Sequence, residues 1–243
     1  MSARPTALVV AGPGTNRDRD LALALELAGA DAKIVLTSEL AARPAQLERA
    51  ALVGVAGGFS YGDALGAGRM MALDLTADAE LAEALTAFVA SGKPMIGICN
   101  GFQVLTRTGL LPGALGHNAH GRFECRWVQI ETDTACTSPW AIGLTDPIHC
   151  PIAHGEGRYV HPDPSGLAAA GQVALRYRST NPNGSVADIA GVCNPAGNVL
   201  GLMPHPENFV VARQHPHGRT GEHHESHLGL RLFRNGVAMA KEC

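Results

Sequence analysis

Four short apolar runs in the first hundred residues, each ending in a polar or glycine-bearing turn, restrict the fold of this 243-residue chain more than any other feature. They are "TALVVAG" (Thr6 to Gly12), "AKIVLT", "LVGVAGG" (Leu52 to Gly58) and "PMIGI". Runs of this length without polar alternation are the pattern of strands buried on both faces. Among them lie "DRDLALALELAGA", with leucines at 21 and 25, acidic residues at its start and Gly29 near its end, and "DAELAEALTAFVASG", which closes on Gly92. Both carry helical periodicity and helix-end signals. Buried strands alternating with helices predict an α/β fold: a doubly wound, mostly parallel sheet with right-handed crossovers.

After Gly109 the pattern changes. "FECRWVQIE", "VALRYRS", "VADIAGV" and "NVLGLM" read as strands, and the last two leave no room for a helix between them, so "CNPAGN" (Cys193 to Asn198) predicts a hairpin. The second half should therefore add an antiparallel section, closed by a helix in "ESHLGLRLFRNGVAMAKE". No composition shift, repeat or low-complexity stretch marks a linker, and one domain over residues 1–243 is expected.

A net charge of −3 without a block of Lys or Arg argues against nucleic acid or an anionic membrane as partner. The N-terminal apolar run is shorter than a secretory segment needs, and none approaches the roughly 18 residues of a membrane span, which predicts a soluble cytoplasmic protein. Six cysteines (Cys99, Cys125, Cys136, Cys150, Cys193 and Cys243) lack short paired spacings, so reduced thiols are expected rather than a zinc site or a disulfide framework.

Three predicted parallel strands end in glycine-bearing turns, "AGPGTN" (Ala11 to Asn16), "AGGFSYGD" (Ala56 to Asp63) and "GICNG" (Gly97 to Gly101). Parallel strands bring these turns to one edge, where ligands of open α/β sheets bind. "GICNG" is G-x-C-x-G, the thiol counterpart of the nucleophile elbow, with small residues where the turn is crowded. A helix N-terminus next to a thiol favours the thiolate. The glycine pair of "GGF" lets backbone N–H groups face a ligand, as an oxyanion hole requires. "GLMPHPENF" offers His205 as a base and Glu207 to orient it. Pro204 and Pro206 predict an extended segment in which 205 and 207 project to a similar side. Taken singly, these are as well read as a core cysteine, a tight turn and a loop histidine. Together they form a nucleophile, a base and an orienting group.

"GGFSYGD", "GICNGFQ", "GLLPGALGHN", "PIAHGEGRY", "NPNGS" and "GLMPHPE", in this order, resemble the class I glutamine amidotransferases, whose sheet is flavodoxin-like. Within that class they resemble the glutaminase subunits that serve formylglycinamidine ribonucleotide synthesis in purine biosynthesis. The resemblance implies glutamine as substrate, Cys99 as nucleophile, His205 as proton carrier and Glu207 as its orienting group. It also implies backbone amides of Gly58 and Phe59 at the oxyanion, Gln103 as a substrate contact, and "HGEGRY" (His154 to Tyr159) beside the pocket or facing a partner. It implies no cofactor in this chain. The ammonia would pass to a large synthetase subunit using ATP and Mg, with a small accessory subunit, and the chain has no G-x-x-x-x-G-K-[ST] loop for ATP chemistry of its own.

Two stretches depart from that pattern: Arg17 stands where relatives often carry cysteine, and "RQHPHGRTGEHHESHLG" concentrates His215, His217, His223, His224 and His227. The latter reads as a solvated loop rather than a metal site, since its order is not H-E-x-x-H. A stand-alone cysteine hydrolase of γ-glutamyl or peptide bonds on the same architecture, or a catalytically silent interaction subunit, are the competing readings.

Overall fold

A computed structural model describes residues 3–216 and 227–243. The first half runs β1 (Thr6–Ala11), α1 (Asp18–Ala28), β2 (Asp31–Leu36), α2 (Thr37–Ala42), α3 (Gln46–Arg49), β3 (Leu52–Val55), α4 (Arg69–Thr76), α5 (Ala79–Ala90), β4 (Met95–Ile98) and α6 (Asn100–Arg107). The second runs β5 (Ala114–Gly116), β6 (Glu124–Thr132), β7 (Ile148–His154), β8 (Arg158–Val160), α7 (Pro164–Ala169), β9 (Val173–Arg178), β10 (Ile189–Cys193), β11 (Val199–Leu202) and α8 (Leu230–Glu242). Among the described residues one sheet has the order β2-β1-β3-β4-β11-β10-β9-β6-β7, and β5 pairs with β8 in a small second sheet.

The expected parallel section and antiparallel addition are both present, with one revision to the strand directions. β2, β1, β3 and β4 are parallel, and β11 joins them by lying parallel to β4. The hairpin at Cys193 to Asn198 pairs β10 antiparallel to β11. Thus "NVLGLM", expected among the antiparallel strands, belongs to both sets. Its carboxyl end, followed by the His205 segment, therefore reaches the same edge as the turns after β1, β3 and β4.

Local signals account for the helix ends. Gly29 closes α1 with a left-handed φ of 105°, and the Asp78 carboxylate caps α5 by accepting from Leu81 N–H at 2.9 Å. Leu21 and Leu25 of α1 are fully buried. Gly54 of β3 makes room for the Leu21 side chain, while the next residue, Val55, meets Gly101 of α6. Successive strand residues face opposite sides, so α1 and α6 cover opposite faces. α8 joins α1 on its face, where Gly236 packs on the buried Trp140 ring.

The closeness of α6 to the sheet depends on Gly101. A Cβ there would fall onto the Val55 carbonyl oxygen, a backbone atom that cannot rotate away. Gly101→Ala should cost at least about 3 kcal/mol in urea-induced unfolding of the isolated chain. Gly116→Ala, where an added Cβ meets nothing within 4 Å, should stay near wild type.

Candidate active site

Cys99 occupies the single residue between β4 and α6, and its backbone carries the strain of that position: φ is 51° and ψ is −103°. A non-glycine residue held at positive φ on a strand-to-helix turn is the conformation of a nucleophile elbow. The turn closes because Gly97 and Gly101 lack side chains. A Cβ on Gly97 would lie 2.6 Å from Leu105 Cδ1 and 2.7 Å from the Gly101 carbonyl. The Cys99 N–H donates to the Leu202 carbonyl at 2.8 Å, which ties the elbow to the end of β11.

Three residues past that strand end, His205 donates its backbone N–H to the Pro151 carbonyl of β7 at 2.9 Å. Its ring Nδ1 meets Glu207 Oε1 at 2.6 Å. The expected extended stretch is not how the two side chains meet. Pro206–Asn208 forms a 3-10 turn, opened by Pro206 and closed by Asn208 N–H donating to the His205 carbonyl. The turn folds the carboxylate back onto the imidazole, where strand alternation was expected to align them. Cys99, His205 and Glu207 are 5%, 4% and 1% exposed, so the group is sealed within the fold.

Burial by itself would depress the His205 pKa. The negative charges of Glu207 and Cys99, and hydrogen bonds to both, outweigh burial and raise it to about 10. The ring thus bonds the Glu207 carboxylate through Nδ1 and lies close enough to the Cys99 sulfur to feel its charge. An imidazole held between an elbow sulfur and a carboxylate can carry a proton between the sulfur and a leaving group.

The loop after β3 comes against this group. A Cβ on Gly57 would be 2.9 Å from His205 Cε1 and 3.1 Å from the Ile98 carbonyl. Gly58 adopts φ 127° beside Asn16 and forms a bridge with Thr15, and the Gly57 carbonyl accepts from Arg17 N–H at 3.2 Å. The turns after β1 and β3 are therefore one packed unit, with the Gly58–Phe59 backbone beside the elbow. Arg17 contributes its backbone here while its guanidinium turns to Asp20 at 3.0 Å.

Gln103 lies one turn along α6 from Cys99, whose carbonyl its N–H meets at 3.1 Å. Its carboxamide has protein partners at both ends: Oε1 accepts from Asn100 at 3.0 Å and Nε2 donates to the Glu156 carbonyl at 2.6 Å. Asn100 also accepts from Ser60 Oγ at 2.6 Å. This buried chain clips "HGEGRY" to the helix behind the nucleophile, a role the sequence reading did not assign. That reading placed His154 only as part of "HGEGRY", beside the pocket or facing a partner; in the structure it follows Ala153, whose carbonyl is 3.9 Å from Cys99 Sγ. All six cysteines are free thiols.

Of the histidine-rich run, His217, His223 and His224 lie outside the described residues. His227 Nδ1 lies 2.8 Å from the Pro147 carbonyl and its ring is 5.1 Å from His149. Among the described residues no group of three His, Cys, Asp or Glu is placed to hold a metal, and no helix is long and apolar enough to cross a membrane.

An elbow thiol, a carboxylate-held imidazole and a glycine loop at the carboxyl edge of a parallel sheet fit the glutamine amidotransferases. The chain belongs to the family of the CobB/CobQ-like glutamine amidotransferase domain, whose model matches residues 4–239. More particularly, it is similar to phosphoribosylformylglycinamidine synthase subunit PurQ. Identity is 44% to that of Treponema denticola, covering 96% of this chain and 98% of the relative. It is 37% to that of Dehalococcoides mccartyi, covering 97% of each. A chain of the solved PurLQS structure from Thermotoga maritima is 37% identical and superposes with a TM-score of 0.79 over 97% of this chain and 98% of that one. A glutamine amidotransferase of Thermotoga maritima, 17% identical with a TM-score of 0.63 over the whole of both chains, shares the fold.

Proposed function

We propose that this chain is the glutaminase subunit of phosphoribosylformylglycinamidine synthase, acting as one glutamine amidotransferase domain. The observation that carries the reading is the sealed Cys99–His205–Glu207 group in a chain whose likeness to PurQ runs over nearly its full length. Cys99 Sγ attacks the glutamine carboxamide, and the Gly58 and Phe59 amides stabilise the oxyanion. His205, oriented by Glu207, gives a proton to the departing nitrogen. The C–N bond breaks, ammonia leaves, and a γ-glutamyl thioester remains, which water activated by His205 hydrolyses to glutamate. Gln103 serves the substrate through the loop it anchors and through its remaining Nε2 hydrogen. Ammonia passes to a cytoplasmic synthetase partner, which uses ATP and Mg and works with a small accessory subunit.

The burial of Cys99, 5% exposed as a residue, supports partner dependence, because opening of the surrounding loops would give glutamine access to the sulfur. The segment after the glycine loop, joined to α6 through Asp63 and Asn100, is the candidate cover. Tyr61, Asp63 and Leu65 all have left-handed backbones, at φ of 55°, 55° and 64°, and Leu65 is 76% exposed. Glutamate release by the isolated chain should be slow and rise at least about ten-fold when the synthetase and accessory subunits are added. Fast release that ignores the partners would instead identify a stand-alone hydrolase, and none in either state a silent subunit.

A further inference from the structure

The mechanism above leaves one buried group unused. His154, at the end of β7, is 3% exposed, and its Nε2 has no hydrogen-bond partner. A buried polar atom left unpaired costs stability unless something else satisfies it.

The protonation of that ring follows from its neighbours. Asn118 donates its Nδ2 hydrogens to two carbonyls, Arg122 at 2.8 Å and His154 at 2.9 Å, which fixes the amide orientation. Asn118 Oδ1 is therefore the acceptor, taking the Gly157 N–H and His154 Nδ1–H, each at 3.1 Å. With the proton on Nδ1, a neutral ring presents a bare lone pair on Nε2. Burial first, and the positive charge of His205 next, lower its pKa to about 4, so the ring is neutral at physiological pH. Gly157 seats it, since a Cβ there would collide with the imidazole.

β7 runs past the reacting atoms and carries this ring at its end, close enough for the His205 charge to act on it. Pro151 of β7 receives the His205 N–H, and the Ala153 carbonyl faces the Cys99 sulfur. Inward-facing residues alternate along the strand, so His154 shares a face with Ile152 and with Cys150, whose thiol feels the Glu207 charge.

We propose that His154 Nε2 accepts a hydrogen bond from the nitrogen that leaves glutamine, first as a carboxamide N–H and then as ammonia. The inference rests on the glutaminase reading above. An acceptor on this nitrogen raises its electron density and assists protonation by His205. A ring that carries no proton on Nε2 then holds ammonia without converting it to the non-nucleophilic ammonium ion. No covalent bond to His154 forms.

The discriminating experiment compares two substrates in the full complex: glutamine, whose leaving group bears N–H, and glutamate γ-methyl ester, whose leaving group does not. His154→Leu should lower kcat/KM for glutamine about five- to ten-fold, the worth of one neutral hydrogen bond, and leave ester hydrolysis within two-fold of wild type. His154→Gln, which can return an acceptor oxygen near the Nε2 position, should recover much of the loss. Ester hydrolysis on the same preparation also reports folding. Equal losses on both substrates, or no loss with glutamine, would overturn the proposal. If the wild-type complex turned over neither substrate, the glutaminase reading itself would fall.

Discussion

Replacing Cys99 by alanine should reduce glutamine-dependent amidination by the assembled complex by at least about four orders of magnitude, while amidination driven by added ammonium salt continues at the wild-type rate. The first part follows from covalent chemistry. Without sulfur there is no thioester, and the glycine loop and imidazole that remain can only polarise a bound amide. The second follows from packing. Alanine removes one sulfur atom from a turn whose shape is set by Gly97 and Gly101 and by the Cys99 N–H bond to Leu202, all of which survive. The fold around the elbow is therefore intact. Retained glutamine activity would require another thiol. Cys150 is the one whose surroundings include Glu207, but it is fully buried, and burial with the Glu207 charge raises its pKa far from the thiolate range. Cys125 and Cys243 are exposed. The assay is glutamate release and product formation on one preparation, with glutamine or ammonium as nitrogen donor.

The sequence disclosed the parts of the fold governed by local pattern. β1, β3, β4, α1, α5 and the hairpin to β11 fall where apolar runs and glycine signals put them. β7 escaped notice because "IHCPIAH" alternates polar and apolar residues and contains Pro151, which cannot donate to a ladder. It is tolerated because β7 is the last strand of the sheet, and its carbonyl is what receives the His205 N–H. α4 was hidden for a different reason. It follows a segment whose backbone turns left-handed at Tyr61, Asp63 and Leu65 as well as at glycines, and no local rule announces positive φ in such residues. The catalytic candidates were legible as residues, and their convergence rests on the parallel pairing of β11 with β4, a contact between segments a hundred residues apart. The network from Ser60 through Asn100 and Gln103 to Glu156 has no sequence period to reveal it.

Glu207→Gln should slow glutamine hydrolysis by about three to four orders of magnitude and reshape the dependence of stability on pH. In the wild-type chain the His205 pKa is raised from 6.5 to about 10, against burial, with Glu207 the larger of its two charged partners. A folded pKa above the unfolded one stabilises the fold fully below about pH 6.5, and that contribution disappears as pH rises toward 10. The wild-type melting temperature should therefore decline across this window. In the variant, burial dominates and the imidazole becomes easier to deprotonate, so the decline above pH 7 should flatten and stability should fall instead below about pH 6. Glutamine also leaves a geometric mismatch. Its oxygen must face the ring N–H, which puts an NH2 group where Glu207 Oε2 now has no partner, a uniform loss that lowers the curve without changing its slope. Subtracting the two melting curves from pH 6 to 10 cancels titrations common to both proteins. A difference that shrinks with rising pH is the expected result. A constant difference would mean that Glu207 neither holds the proton on His205 nor orients it for catalysis.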